Sequence, residues 1–352
     1  MAHADESTHP QHTARADEPP RAAETDPGTA PETRTVWWHL LGIVVAAPVV
    51  VGLAVLVFTW PAARTQPRDV PVGVVGSGAA ADQAVLTLAR PPGAYRVLRY
   101  GTPQQAVTAL HDRDVVAAVV AAPGTEQVLV ASANGPALLR QIQPTLMQAA
   151  GPGATVDDVV PTPTTDPQGS VISQSVLPLT LAGEFSAILL VAVTRPGWHQ
   201  LVALAVVSVF TGLLTVLLVG AWLDVLGPGR WWLDAGVVAL QVLAVGSIVL
   251  GLRAAIGKAG PPVAVALLVF IGNGFSGISS SPSLLPRPVR LIGSWLPPGA
   301  GDQLLRSTAF FAGHDWVAPT VVLLVWTAVG AAAALVHQAV TGRPGARAHV
   351  TA

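Results

Sequence analysis

The sequence predicts an α-helical integral membrane protein. It would have six transmembrane helices in a one-plus-five layout, with an α/β extracytoplasmic domain between helices one and two. Three observations carry this expectation. Six apolar stretches each come close to the about 20 residues that a helix needs to cross a bilayer core. More than 100 water-compatible residues part the first stretch from the other five. Finally, the chain is 51% hydrophobic and only 11% charged, against about 25% charged in an ordinary soluble domain.

Residues 1–36 hold seven acids, three arginines and at most one large apolar side chain. Such a segment cannot bury enough apolar surface to offset its chain entropy, so a disordered cytoplasmic tail is expected. His3, His9 and His12 imply no fixed geometry there, and no metal site is expected. The first helix is placed at 37–60, bracketed by Trp37, Trp38 and Trp60 at headgroup level. Trp60 and Pro61 stand where a cleavage site would want small residues, which reads as an uncleaved anchor.

Residues 61–173 are expected to form the extracytoplasmic α/β domain and a linker. Residues 70–75 read as a strand closed by Gly76-Ser77-Gly78, and 80–88 as a helix stopped by Pro91-Pro92. A second strand is expected at 95–100. Thr102 at the N-cap, Pro103 at N1 and Gln105 at N3 announce a helix reaching about Arg113. Strands at 115–121 and 127–131 and a helix at 136–149 complete a βαβαββα order, a small sheet with helices packed on it. Residues 151–170 read as a linker, with Asp157-Asp158 as a solvated acidic pair.

The five-helix membrane domain is placed at 174–339, with spans at 174–194, 201–223, 232–252, 261–279 and 316–339. A Gly/Pro-rich outer segment occupies 277–311, and 340–352 form a cytoplasmic tail. Ser208, Gly212, Gly246 and Gly251 would let helix backbones approach closely. With the amino terminus inside, the inner short loops and tail carry Arg195, Arg253, Lys258, Arg343 and Arg347. The opposite loops carry Arg230, Arg287, Arg290 and Arg306. This slight excess favours an inside amino terminus in a multi-pass plasma-membrane protein. Trp231, Trp232, Trp295 and Trp316 read as interface anchors. The chain has no cysteine, which excludes disulfides and cysteine zinc sites. One lysine against eighteen arginines, in a chain rich in Ala, Val, Gly and Pro, suggests a high-GC, actinobacterial source.

Few residues suggest chemistry. Glu184 falls near the middle of the second span, where an acid costs about 2.5–3.5 kcal/mol on insertion scales and is by default a functional group. Asn273 lies between two glycines late in the fifth span. These two residues, with Arg306, form the expected substrate path. Gln241 suggests an interhelical hydrogen bond, and Arg230 and Asp234 suggest a pair at a turn. Arg306 also suits a snorkelling position at the membrane surface. Catalysis is not expected. The run from Gly251 to Ala259 has the wrong glycine spacing for a phosphate loop and Ala259 where Ser or Thr is needed. Gly274-Phe275-Ser276-Gly277 is only part of a nucleophile elbow, with Ile278 at the last glycine position.

Residues 272–311 go beyond hydropathy. An apolar span breaks at Gly277, followed by a proline–leucine step at 282–286, an amphipathic piece at 289–297 and a helix bearing Arg306. This order resembles the region between the last two spans of type-two ABC exporter permeases and of their YhgE/Pip-like relatives. Residues 71–77, 102–110 and 115–123 resemble the opening of that family's extracytoplasmic insert, and the likeness runs over about 36–340. It implies a transport unit that dimerises and works with a separate ABC ATPase, with no cofactor in this chain. Lipid is the expected surrounding, and nucleic acid is not an expected partner. The turn at 195–200 is shorter than the ATPase-docking segment of such permeases. A second reading therefore stands beside the first: a non-transporting YhgE/Pip-like envelope or secretion-accessory protein whose outer domain binds a partner.

Overall fold

The computed structural model describes residues 32–122, 124, 126–194, 197–227, 229–278 and 280–341. The expected tail up to residue 31 with its three histidines, Arg195, and the tail beyond 341 with Arg343 and Arg347 lie outside them. Residues up to Gly52 form one unit, in which the start of helix α1 (Glu32–Ala63) is described; residues from Leu53 form a second. Everything below concerns the second unit.

Among the described residues, five helices are long and apolar enough to cross a membrane: Leu40–Trp60, Val171–Val193, Trp198–Trp222, Trp231–Asn273 and Val317–Thr341. The 43-residue Trp231–Asn273 run is not one rod. Helix α7 (Trp231–Ile256) ends at Gly257, whose φ of 68° is a left-handed turn that glycine adopts without a side-chain clash. The chain then folds back, so that Gly260 stands against the backbone of Leu252 and Arg253. A straight helix would hold residues 252 and 260 about 12 Å apart. The returning piece is α8 (Gly260–Val265) continued by a π-helical stretch, Ala266–Asn273. It ends short of the expected residue 279.

Between α1 and the helices that follow lies a five-stranded sheet in the order β2-β1-β3-β4-β5. Strands β1 (Val70–Val75) and β2 (Tyr95–Tyr100) form at the expected residues, while β3 (Ala117–Val120) and β4 (Gln127–Val130) are slightly shorter. β1 pairs in parallel with β2 and β3, and β3 pairs antiparallel with β4. Period-2 alternation splits the apolar residues between two faces. Val70, Val72, Val74, Ala117 and Val119 meet Leu88 of α2 (Ala79–Ala89) and Ile142 and Leu146 of α4 (Pro136–Ala150). Val75, Ala118 and Val120 meet Ala106 and Leu110 of α3 (Pro103–His111). One short helix leaves part of that second face bare, and Phe311, 1% exposed, closes it from outside the domain.

Helix α3 starts on the expected capping box. Gln105 N–H donates to Thr102 Oγ1 at 3.3 Å, and Thr102 N–H donates to Gln105 Oε1 at 3.3 Å. Thr102→Ala is expected to cost about 1 kcal/mol locally. Hydrogen exchange should speed up in the first turn of α3 and stay unchanged in α4.

Two expectations about the linker are corrected. Within 151–170 the chain forms β5 (Thr155–Asp158), parallel to β4. Asp157 and Asp158 are not merely solvated. Asp157 Oδ2 accepts from Gln127 Nε2 at 3.2 Å, and Asp158 Oδ1 accepts from the Ser132 N–H at 3.1 Å. The rest is fastened by side chains. Asp166 accepts from the N–H groups of Ser170 and Val171 at 3.0 and 2.8 Å, capping α5 (Val171–Val193). Thr165 Oγ1 donates to the Asp224 carbonyl at 2.7 Å.

Residues 272–311 hold the expected amphipathic piece and the expected helix bearing Arg306, as the short helices α9 (Arg287–Ser294) and α10 (Pro297–Phe310). Together they make a hairpin that enters the bundle from the end bearing the sheet and returns. At its tip Pro298 meets Gly272, and the Trp295 carbonyl accepts from Trp326 Nε1 at 2.7 Å. Trp326 lies ten residues into α11 (Val317–Thr341) from Trp316, about 15 Å along the helix. Non-helical backbone at such depth is tolerated where protein buries it, and α10 is buried over nearly its whole length. Glycine makes this possible at 301, because a Cβ there would collide with the Gln241 side chain of α7.

Candidate functional site

The re-entrant hairpin ties the sheet to the bundle through two arginines. Arg306 of α10 is 5% exposed, so it does not snorkel. Its Nε donates to Asp302 Oδ2 at 3.1 Å, its Nη1 to the Ala133 carbonyl at 3.2 Å, and its Nη2 to Ser173 Oγ at 2.6 Å. One planar fork thus joins its own helix, the sheet domain and the start of α5, a use that suits guanidinium better than ammonium. Arg113, just past the end of α3, reaches the other way. Its Nη2 donates to Gln303 Oε1 at 2.7 Å, its Nε to Asn134 Oδ1 at 3.2 Å, and its guanidinium lies 5.3 Å from the Phe311 ring centroid. Burial pulls the Arg113 guanidinium below its ordinary pKa, with Asp315 opposing and Arg306 adding to the fall.

Beside these contacts opens a cleft of about 740 Å³. The sheet domain contributes Asn134 and Arg140, and the entry to α5 contributes Gln168, Ser173 and Gln174. Asp302, Gln303 and Arg306 line it from α10, and Ser280 and Ser281 from the stretch after the π turn. At its lower end it reaches Asn273, Gly274 and Phe58, between the helices. The wall mixes apolar groups with neutral hydrogen-bonding side chains. Asp302 Oδ1 is buried there without a partner, and Arg140 is exposed.

The structure therefore brings Asn273 and Arg306 into one cleft and leaves Glu184 out of it. Asn273 Nδ2 donates to the Leu268 carbonyl at 3.0 Å, a fifth-neighbour bond that fits the π-helical turn around it. Glu184 of α5 is 1% exposed, with Oε1 buried and unpartnered. Its neighbour Gly183 abuts the Val242 carbonyl of α7. Two further expectations change. Asp234 does not pair with Arg230: it is fully buried, and its Oδ1 accepts from Thr308 Oγ1 at 2.6 Å. Gln241 makes no interhelical bond through Nε2, which is buried without a partner. Ser276, the serine of the partial elbow, donates to the Asn273 carbonyl at 2.8 Å.

The sequence held one unused signal for this site. Asp302 and Arg306 stand four residues apart, the spacing of a helical ion pair. Arg113 and Gln303 carried no signal, since one lies just past α3, the other midway along α10, and 190 residues part them. Searched against protein-family models, curated proteins and solved structures, the chain matches none.

Proposed function

We propose that this protein is the permease-like subunit of an ABC-type exporter, moving a hydrophilic substrate across the plasma membrane with ATP hydrolysed by a separate subunit. The observation that carries this reading is the polar cleft running from the sheet domain down between the helices to Asn273 and Phe58. A closed structural anchor has no need of such a path. In this reading the 43-residue run crosses twice, which makes six crossings. The amino terminus is inside, and the sheet domain is extracytoplasmic at the exit. Arg306 holds the domain over the exit, Asn273 lines the path, and Glu184 is a buried acid beside it. Two copies form the transport unit.

The test is purification of the intact complex from its own membrane in mild detergent. A nucleotide-hydrolysing subunit in fixed proportion is expected. Its consistent absence, with no ATP-dependent solute movement in vesicles, would end the exporter reading. Glu184→Gln is expected to leave folding intact, because Oε1 has no partner to lose, and to lower transport at least tenfold. Full transport by that variant removes Glu184 from the mechanism.

One observation favours the second reading, a non-transporting envelope or secretion-accessory protein. The turn between α7 and α8 is only Gly257–Ala259, and four residues part Val193 from Trp198. Neither offers a docking helix to an ATPase. Under that reading the same purification yields an envelope component bound to the sheet domain and no ATPase.

A further inference from the structure

A second hollow, unrelated to the cleft, opens where α7 and α11 begin and α10 ends. It has a volume of about 490 Å³, within the roughly 300–1,000 Å³ range of small-molecule sites. Its walls are mainly apolar, with Leu240 and Leu304 along the length and Trp232 and Trp316 at the mouth. Trp232 is 83% exposed, and Trp316 is exposed too. Tryptophans so placed at helix starts mark the headgroup level of a bilayer.

Arg230 is the cation at this mouth. It is exposed and forms no salt bridge among the described residues. Asp234, one turn further along, is turned inward onto Thr308 and forms no salt bridge with it. The lining contains no acid. A free guanidinium at headgroup level, above an apolar channel, matches a phosphodiester above an acyl chain. Guanidinium binds phosphate oxygens in pairs.

We propose that this groove is a binding site for one anionic phospholipid, its phosphate on Arg230 and one acyl chain along Leu240 and Leu304. The proposal needs only the membrane reading and is independent of export. An amine-bearing headgroup gains less, because no carboxylate lines the groove to receive the ammonium.

Gly236 provides a clean test. It lines the groove, and a Cβ built there meets nothing within 4 Å. Gly236→Leu should therefore fill the groove without disturbing the protein. The full-length protein, purified in detergent, is titrated with dioleoyl phosphatidylglycerol or dioleoyl phosphatidylcholine, and lipid retention is read by native mass spectrometry. Wild type is expected to retain one phosphatidylglycerol, at least tenfold more tightly than phosphatidylcholine. Arg230→Gln should remove that preference, and Gly236→Leu should remove the bound lipid at unchanged melting temperature. Equal retention of the two lipids by wild type overturns the proposal. So does retention by Gly236→Leu equal to wild type, or a change in oligomeric state as that variant's only effect, which would assign the groove to a second copy.

Discussion

Arg306→Ala is expected to be among the most damaging single substitutions in this chain. The guanidinium serves Asp302, the Ala133 carbonyl and Ser173 at once, and both charged side chains are only 6% exposed. Asp302 already has one buried oxygen without a partner, so the truncation removes the salt bridge and hydrogen bond to its other oxygen. Breaking a buried pair from one side costs about 3–5 kcal/mol. Thermal unfolding in detergent should show a large loss. Hydrogen exchange should rise at 132–134 and 170–173, where the sheet domain meets α10 and α5. Arg306→Met with Asp302→Leu should recover much of the stability, since removing both charges together is often neutral. If the single and double variants melt alike, the charge argument is wrong and Arg306 acts by packing alone.

Gly330→Leu is the second large effect. Helices α7 and α11 share the most extensive helix contact of the bundle, and at their closest approach Gly330 faces the Ser247 carbonyl, where a Cβ would collide with backbone. Gly251 meets the Gly330 Cα from the other side, with a built Cβ only 2.8 Å away. Overpacking costs about 1–3 kcal/mol where side chains can yield, and a backbone carbonyl yields less. The variant should lose monodisperse protein on size exclusion, with Gly330→Ala intermediate. Gly236→Leu, with open space around it, is the matched control. Equal yields for Gly330→Leu and Gly236→Leu would mean that the α7–α11 contact is not fixed as described.

These two positions also separate what could be read early from what could not. Gly251 was expected to allow close helix approach, because small residues in an apolar run have that use. Its partner, Gly330, was invisible, since nothing in an Ala-rich run says which face meets a neighbour. Strands β1 and β2 were legible because alternation and flanking turns are local. Strand β5 was missed because three of its four residues, Thr155, Asp157 and Asp158, are polar and the strand lies largely at the surface, and only pairing with β4 makes it a strand. The amphipathic piece and the helix bearing Arg306 were read, but their folding back as a hairpin was not. Gly and Pro normally break helices, yet here Gly299 and Gly301 let α10 pack closely against its neighbours.

The sequence by itself determined the parts whose cause is local. These were the apolar runs, the tryptophan brackets, the capping box at Thr102 and the isolated acid at 184. Hydropathy and capping act over one to five turns, so a single segment carries the information. The tertiary structure decided everything that depends on partners far apart in the chain. It turned Arg306 inward to hold Ala133 and Ser173, bent the Trp231–Asn273 run at Gly257, and left Arg230 free above a groove. It also gathered Asn134, Asn273 and Asp302 around one cleft. A buried polar group must find a partner or carry the full cost of its desolvation, and which partner it finds is a property of the packed chain.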